Sequence, residues 1–262
     1  MLTRILTALP LIAGLLAALF WASEAVWMLL MWLVLILGGW EWARLRKLDN
    51  LPAFVYGLTL LGLSMFALES QWEVAAWTYL PVALFWLAAP FLLWRGVRFQ
   101  QTPLVLALGA LLLTGTCLAM ISLRREDPLL LLAVMGLVVL ADSGAYFAGR
   151  RFGKHKLAPA ISPGKTWEGA IGAFIVVTLY AVLVWAYWAQ ARLGIGLPML
   201  LGVAWLLLVL SILGDLFESW LKRLAGVKDS GSLLPGHGGV LDRIDSLTAV
   251  LPVAALLWMW GT

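Results

Sequence analysis

Hydropathy divides the chain into nine apolar blocks, at about residues 4–22, 25–43, 52–69, 74–95, 103–122, 128–148, 167–190, 197–222 and 243–260. A helix crosses a bilayer with roughly 20 predominantly apolar residues, so each block is a candidate transmembrane helix. The expected fold is all-α: a polytopic integral membrane protein of about nine spans. Only Ala22-Ser23-Glu24 separates the first two blocks, and Glu24 speaks against one continuous span. The first block reads as an anchor rather than a cleaved leader, because its apolar run is long for a signal peptide.

Composition agrees. The 262 residues are 63% apolar and 12% charged, with mean hydropathy +0.96, outside the range of soluble domains. One cysteine excludes an internal disulfide, and Cys117, set in an apolar run, reads as a small core hydrophobe. The pI of about 9.4 would suit nucleic acid in a soluble protein. In a membrane protein, excess Lys and Arg mark cytoplasmic loops and anionic lipid instead, so membrane lipids are expected partners and nucleic acid is not.

The basic residues also set orientation, since short loops rich in Lys and Arg stay in the cytoplasm. With nine spans and a cytoplasmic N-terminus, Arg4, the Arg44/Arg46/Lys47 turn, Arg95, Arg98 and the loops near 150–165 and 222–243 lie inside. That is fifteen of the eighteen basic residues; Arg124, Arg125 and Arg192 fall outside. Residues 1–122, about five spans, carry little that could do chemistry, and Glu41 and Trp42 read there as part of a membrane interface. Residues 123–262 carry the chemistry, on two cytoplasmic loops at 149–166 and 223–242. There is no internal repeat and no soluble linker.

Charge concentrates in residues 215–246, which hold five of the fourteen acids, four of the eighteen bases and one of the two histidines. Asp215, Ser219 and Lys222 continue an apolar helix at i, i+4 and i+7, and so share a face. Gly226 is expected to end that helix, and the Pro-Gly-His-Gly-Gly run of 235–239 cannot continue one. Asp242, Asp245 and Ser246 then open the next helix on a common face near its N-terminus. Three acids and a hydroxyl bracketing a glycine loop, flanked by Lys222, Arg223, Lys228 and Arg243, suit Mg²⁺ and the phosphates it bridges.

A second constellation begins with Asp142, about fourteen residues into an apolar helix. An intramembrane acid is costly unless it faces a polar cavity or a partner, and so is a functional candidate. Tyr146 lies one turn on along the same face. Arg150, Lys154, His155 and Ser162-Pro-Gly-Lys165-Thr166 follow, and Glu168 then opens the seventh block. Hydroxyls, glycine and cations at a helix start favour anions. The Gly-Lys-Thr of 164–166 is not a P-loop, since the leading glycine and preceding strand are missing.

The run Ser219-x-Leu-Lys-Arg-x4-Lys-Asp-x-Gly-x2-Leu-Pro-x-His-Gly-Gly-Val-x-Asp-Arg-Ile-Asp245 closely resembles the signature of phosphatidate cytidylyltransferases, the CDP-diacylglycerol synthases. Asp142–Gly169 resembles the upstream family segment, so the likeness covers roughly residues 135–260. It departs at Ala173, where the family often has a second glycine after Gly172. The resemblance implies that CTP and phosphatidate are the substrates, that CDP-diacylglycerol and pyrophosphate are the products, and that Mg²⁺ is the cofactor, with a monovalent cation such as K⁺ as a second option. It also implies a cell inner membrane location, and it leaves a homodimer open.

On this reading Asp215 and Asp242 are the first-choice metal ligands, Asp245 is third and Ser219 supports them. Lys222, Arg223 and Arg243 hold phosphates, while Lys228 and Asp229 order the loop. His237 either donates to pyrophosphate or fixes the loop, and Gly236, Gly238 and Gly239 let the backbone approach the triphosphate. Arg150, Lys154 and Lys165 are candidates for the lipid phosphate or triphosphate, and Asp142 pairs with one of them or joins the metal. A transporter is the rival from another class; it would spread its charges through the spans near the midplane rather than cluster them at helix ends.

Overall fold

The structure is a computed structural model describing residues 2–72, 75–96, 101–233, 236 and 238–261, without the side chains of residues 2–8. All nine apolar blocks are helical. In chain order they are α1 (Leu2–Trp21), α2 (Glu24–Leu45), α3 (Asn50–Glu69), α4 (Ala76–Arg95), α5 (Thr102–Glu126), α6 (Pro128–Phe152), α7 (Trp167–Val184), α9 (Leu197–Ala225) and α11 (Leu247–Gly261). A π-helical turn, Trp185–Ala189, and the short α8 (Gln190–Leu193) extend α7, and a single turn, α10 (Leu241–Ile244), precedes α11. Among the described residues seven helices are long and apolar enough to cross a membrane, while Leu9–Trp21 and Leu247–Gly261 are apolar but shorter. The chain is a multi-pass membrane protein.

Helix ends follow local chemistry. Ser23 accepts from the Val26 amide at 3.4 Å to start α2, and Asp127 accepts from the Leu129 amide at 2.8 Å to start α6. Gly226 ends α9 in the left-handed region at φ 76°, as its sequence position suggests. The loop after α6 is not irregular. Residues Lys156–Ala158 (β1) and Ser162–Thr166 (β2) pair as a small antiparallel hairpin. Gly164-Lys165-Thr166 therefore lies within a strand rather than forming a phosphate-wrapping loop. Thr166 caps α7 by accepting from the Gly169 amide at 3.1 Å.

Small residues bring the helices close. A Cβ on Gly144 of α6 would lie 3.2 Å from the Gly172 carbonyl oxygen of α7, and one on Gly172 would run into the Ala148 side chain. Ala173 is buried in the same contact, so the close packing survives without a second glycine. Behind α9, Phe85, Trp86, Phe217 and Trp220 stack edge to face or tilted at centroid separations of 5.2 to 5.7 Å, and Trp86 Nε1 donates to the Thr248 carbonyl at 3.2 Å. This cluster ties α4, α9 and α11 together.

The two ends of the bundle differ. At one, Arg124 donates to the Ala18, Leu19 and Ala22 carbonyls at 3.2, 2.9 and 2.6 Å, and Arg125 pairs with Glu24 at 2.6 Å. Two of the three basic residues on that side are thus used up by the end of α1 and the start of α2. The other end gathers the C-terminus of α2, the β-hairpin, the C-terminus of α9 and α10. Replacing Gly172 by Leu should separate α6 from α7 and lower the thermal unfolding midpoint in detergent, with a cost of about 1–3 kcal/mol; Gly202→Leu, where a Cβ meets nothing within 4 Å, should leave the midpoint unchanged.

Candidate active site

Between α6, α7, the hairpin and α9 lies a cleft of about 470 Å³, whose lining includes Asp142, Tyr146, Arg150, Lys165 and Asp215. Lys165 and Asp215 meet as an ion pair at 2.7 Å, and Ser219 donates to the other Asp215 oxygen at 3.2 Å. The i, i+4 alignment of Asp215 with Ser219 is therefore realised. Asp142 lies within electrostatic reach of Asp215, Lys165 and Arg243. Arg150 is steadied by donating to the Tyr146 hydroxyl at 3.0 Å.

Asp245 joins this group through a glycine contact. A Cβ on Gly214 would lie 2.8 Å from the Asp245 carbonyl oxygen and 2.9 Å from Ser246 Cα, so only glycine lets α9 touch that backbone. Ser246 Oγ donates to the Ser211 carbonyl at 3.1 Å and holds the contact. The Asp245 carboxylate then interacts electrostatically with Asp215, Asp142 and Lys165. Three carboxylates from three segments share one lysine.

Asp242 has a second set of partners, joined to the first group electrostatically through Glu218 and Asp245. Lys222 reaches it at 2.6 Å and Glu218 at 2.9 Å, and all three are largely buried. The remaining Asp242 oxygen accepts from the Ser230 amide and hydroxyl at 3.0 Å each and from the Gly239 amide at 2.8 Å. Burial pushes the Asp242 carboxyl up, but Lys222 and these amides outweigh it and hold the group below the usual carboxylate range. Gly238, at φ 80°, brings the backbone onto Asp242 and would place a Cβ 2.7 Å from its carboxylate. The structure thus joins Asp215 with Asp142 and Asp245, and joins Lys222 with Asp242 and Glu218.

Two members of this second cluster were not singled out in sequence. Glu218 is four residues from Lys222 on one helix, a spacing that signals an ion pair. Glu41, near the end of α2, is fully buried within the protein. It accepts from the Val240 and Leu241 amides at 3.1 and 2.8 Å and from Ser230 Oγ at 3.0 Å.

The other expected residues are spread around the two clusters. Arg223 donates to the Ile161 and Val227 carbonyls at 3.3 and 3.2 Å, linking the hairpin turn to the end of α9. Glu168 accepts from the His155 ring at 2.7 Å and from its amide at 3.2 Å, fastening the start of the hairpin. Lys154, Lys228, Asp229, Gly236 and Arg243 are exposed beside the site. His237 lies outside the described residues, as does Pro235. A second cavity, about 360 Å³, sits at the opposite ends of α6, α7, α9 and α11 and is almost wholly apolar; the polar cleft is the one equipped for chemistry.

A sequence profile of the cytidylyltransferase family matches residues 2–260. The chain belongs to that family. It is 43% identical to a phosphatidate cytidylyltransferase of Pseudomonas aeruginosa over 98% of both chains. It is 39% identical to one of Haemophilus influenzae over 95% of both, and 35% identical to one of Staphylococcus haemolyticus over 80% of both. Family membership makes it a nucleotidyltransferase, an enzyme that must bring two anionic substrates together.

Among the described residues no three acidic, histidine or cysteine side chains stand close enough to hold a metal by themselves. That suits a cation which takes only one or two carboxylates and completes its shell with water and substrate phosphate, as Mg²⁺ does. Asp142 and Asp215, the two carboxylates that line the cleft, are oxygen donors of the kind it takes. Lys222→Met leaves Glu218 and Asp242 buried without their shared cation. It should destabilise the protein by about 3–5 kcal/mol, read as a fall in the unfolding midpoint in detergent.

Proposed function

We propose that this chain transfers the cytidylyl group of CTP to phosphatidate, giving CDP-diacylglycerol and pyrophosphate, from a cleft at the cytoplasmic end of a nine-span bundle with its N-terminus inside. The reading is carried by one observation: Asp142, Asp215 and Lys165 line one cleft with Asp245 within electrostatic reach, beside a glycine loop and basic side chains, in an otherwise apolar protein. Fifteen of eighteen basic residues fall on the cytoplasmic side in this orientation. The proposed location is the cell inner membrane, as the resemblance implies.

A phosphate oxygen of phosphatidate attacks the α-phosphorus of CTP in line with the bond to the β-phosphate oxygen. The new P–O bond forms as that bond breaks, and pyrophosphate leaves with the bonding electrons. The attacking phosphate is already ionised at neutral pH, so no strong base is needed. The task of the protein is to hold two anions in contact and in line.

Arg150, fixed by Tyr146, and Lys165 are placed to bind phosphate groups in the cleft, while the exposed Lys154, Lys228 and Arg243 attract the anions to its mouth. Asp215 and Asp142 would hold Mg²⁺, with Asp245 acting on them electrostatically, and the ion when bound would supply charge neutralisation for the phosphates. Asp242 is already filled by Lys222, Ser230 and Gly239, and its part is to fix the glycine loop and Lys222. His237, in that loop, remains assigned to pyrophosphate or to the loop itself.

Purified protein incubated with phosphatidate and each nucleoside triphosphate in turn should release pyrophosphate with CTP alone. Release of a nucleoside diphosphate instead would make it a kinase. Asp215→Asn removes charge without volume, so it should lower CTP-dependent turnover by on the order of 10²-fold or more while the protein still inserts and folds. Turnover near the wild-type rate in that variant would exclude Asp215 from the chemistry.

A further inference from the structure

We propose that Glu41, a residue of the N-terminal half, is a positioning residue for nucleotidyl transfer that clamps the glycine loop of 230–241 and thereby sets Asp242 and Lys222. The inference rests on the transferase reading above for its consequence, but the clamp itself is a matter of geometry.

The contacts form one closed set. Glu41 takes the Val240 and Leu241 amides on its two oxygens, and Ser230 Oγ stands 3.0 Å from Glu41 Oε2 and 3.0 Å from Asp242 Oδ2. One hydroxyl therefore bridges two carboxylates, one from α2 and one from α10. Asp242 in turn holds Lys222 at 2.6 Å, and Lys222 holds Glu218. A fault at Glu41 passes to Lys222 through three hydrogen bonds, by way of Ser230 and Asp242.

At two glycines of the loop the nearest neighbours of an added Cβ are Glu41 and Ser230. A Cβ on Gly231 would lie 2.9 Å from Glu41 Cδ and closer still to Oε1, and one on Gly239 would collide with both Glu41 oxygens and with Ser230 Oγ. Those glycines make room for a side chain about 190 to 200 residues away in sequence. The described loop residues Ser230, Gly231, Gly239, Val240 and Leu241 are packed against this buried carboxylate before any substrate arrives.

The clamp is not an efficient way to gain stability. A fully buried carboxylate satisfied by two amides and a hydroxyl, with no cation in contact among the described residues, barely offsets its own desolvation. What it supplies is a single course for the loop, and misplacement of about 1 Å is enough to slow a positioned reaction by on the order of 10²-fold.

The test compares wild type, Glu41→Gln, Ser230→Ala and the double variant in detergent or lipid discs. Readouts are hydrogen exchange along the chain, the unfolding midpoint, and kcat and KM with CTP and phosphatidate. Glu41→Gln puts an amide N–H where an acceptor is needed. It should raise exchange in peptides covering 228–241 while leaving α3 to α6 unchanged, and lower kcat by on the order of 10-fold or more with a smaller change in KM. Ser230→Ala should move the same readouts in the same direction, and the double variant should be little worse than Glu41→Gln alone.

Unchanged loop exchange in both single variants overturns the clamp. So does a uniform rise in exchange along the whole chain, which would make Glu41 a general stabiliser. If Glu41→Gln fails to accumulate, Ser230→Ala decides alone. Exchange needs no substrate, so a wild-type chain without cytidylyl transfer overturns the reaction and leaves the clamp to be judged on the exchange data.

Discussion

Glu41, Asp142, Asp215, Asp242 and Asp245 are placed among apolar helices, and a carboxylate there persists only with partners. That requirement organises the site. Asp215 is paired with Lys165, Asp242 with Lys222 and two amides, and Glu41 with two amides and a hydroxyl. Each pairing crosses from one segment to another, so satisfying the charges also fixes how α2, α9, the hairpin and α10 sit together. The same side chains that demand partners are the ones that hold the cleft open to anions.

Glycine makes the pairings geometrically possible. Gly214 lets the Asp245 backbone lie on α9, Gly238 lets the loop turn onto Asp242, and Gly231 and Gly239 leave space for Glu41. The glycines of 236–239 first read as a way for backbone to approach a triphosphate. Gly238 and Gly239 are spoken for inside the protein, by Asp242 and Glu41. A loop held on both sides in this way presents a fixed rather than an adaptable surface.

Much of this was legible in the chain. The helices were, because blocks of about twenty apolar residues have few other folds, and Gly226 and Thr166 mark their ends by known chemistry. The cluster at 215–246 was, because charge is scarce elsewhere. Partner choice was not, because it depends on which segments meet. Lys222 lies at i+7 from Asp215 and by periodicity belongs beside it, yet its long side chain turns to Glu218 and Asp242. The rule that marked Asp142, an acid embedded in apolar sequence, applied equally to Glu41. The nearby Arg44, Arg46 and Lys47 made it look solvated. The hairpin of 156–166 gave no alternating pattern, since its strands are only three and five residues long.

The two acidic clusters differ in a way that bears on their roles. Around Asp242, Lys222 faces Asp242 and Glu218, and backbone amides donate to the other Asp242 oxygen. Asp215 itself accepts from no backbone amide among the described residues. Asp142, Asp215 and Asp245 share Lys165, and Arg243 also reaches Asp142 electrostatically. Three acids facing one or two bases leave residual negative charge in a site that must admit two anionic substrates. On the proposed reading, a nucleotide arriving with its divalent cation would offset that charge. The Asp242 cluster, tied to the Ser230 and Gly239 amides, is suited to holding a loop still.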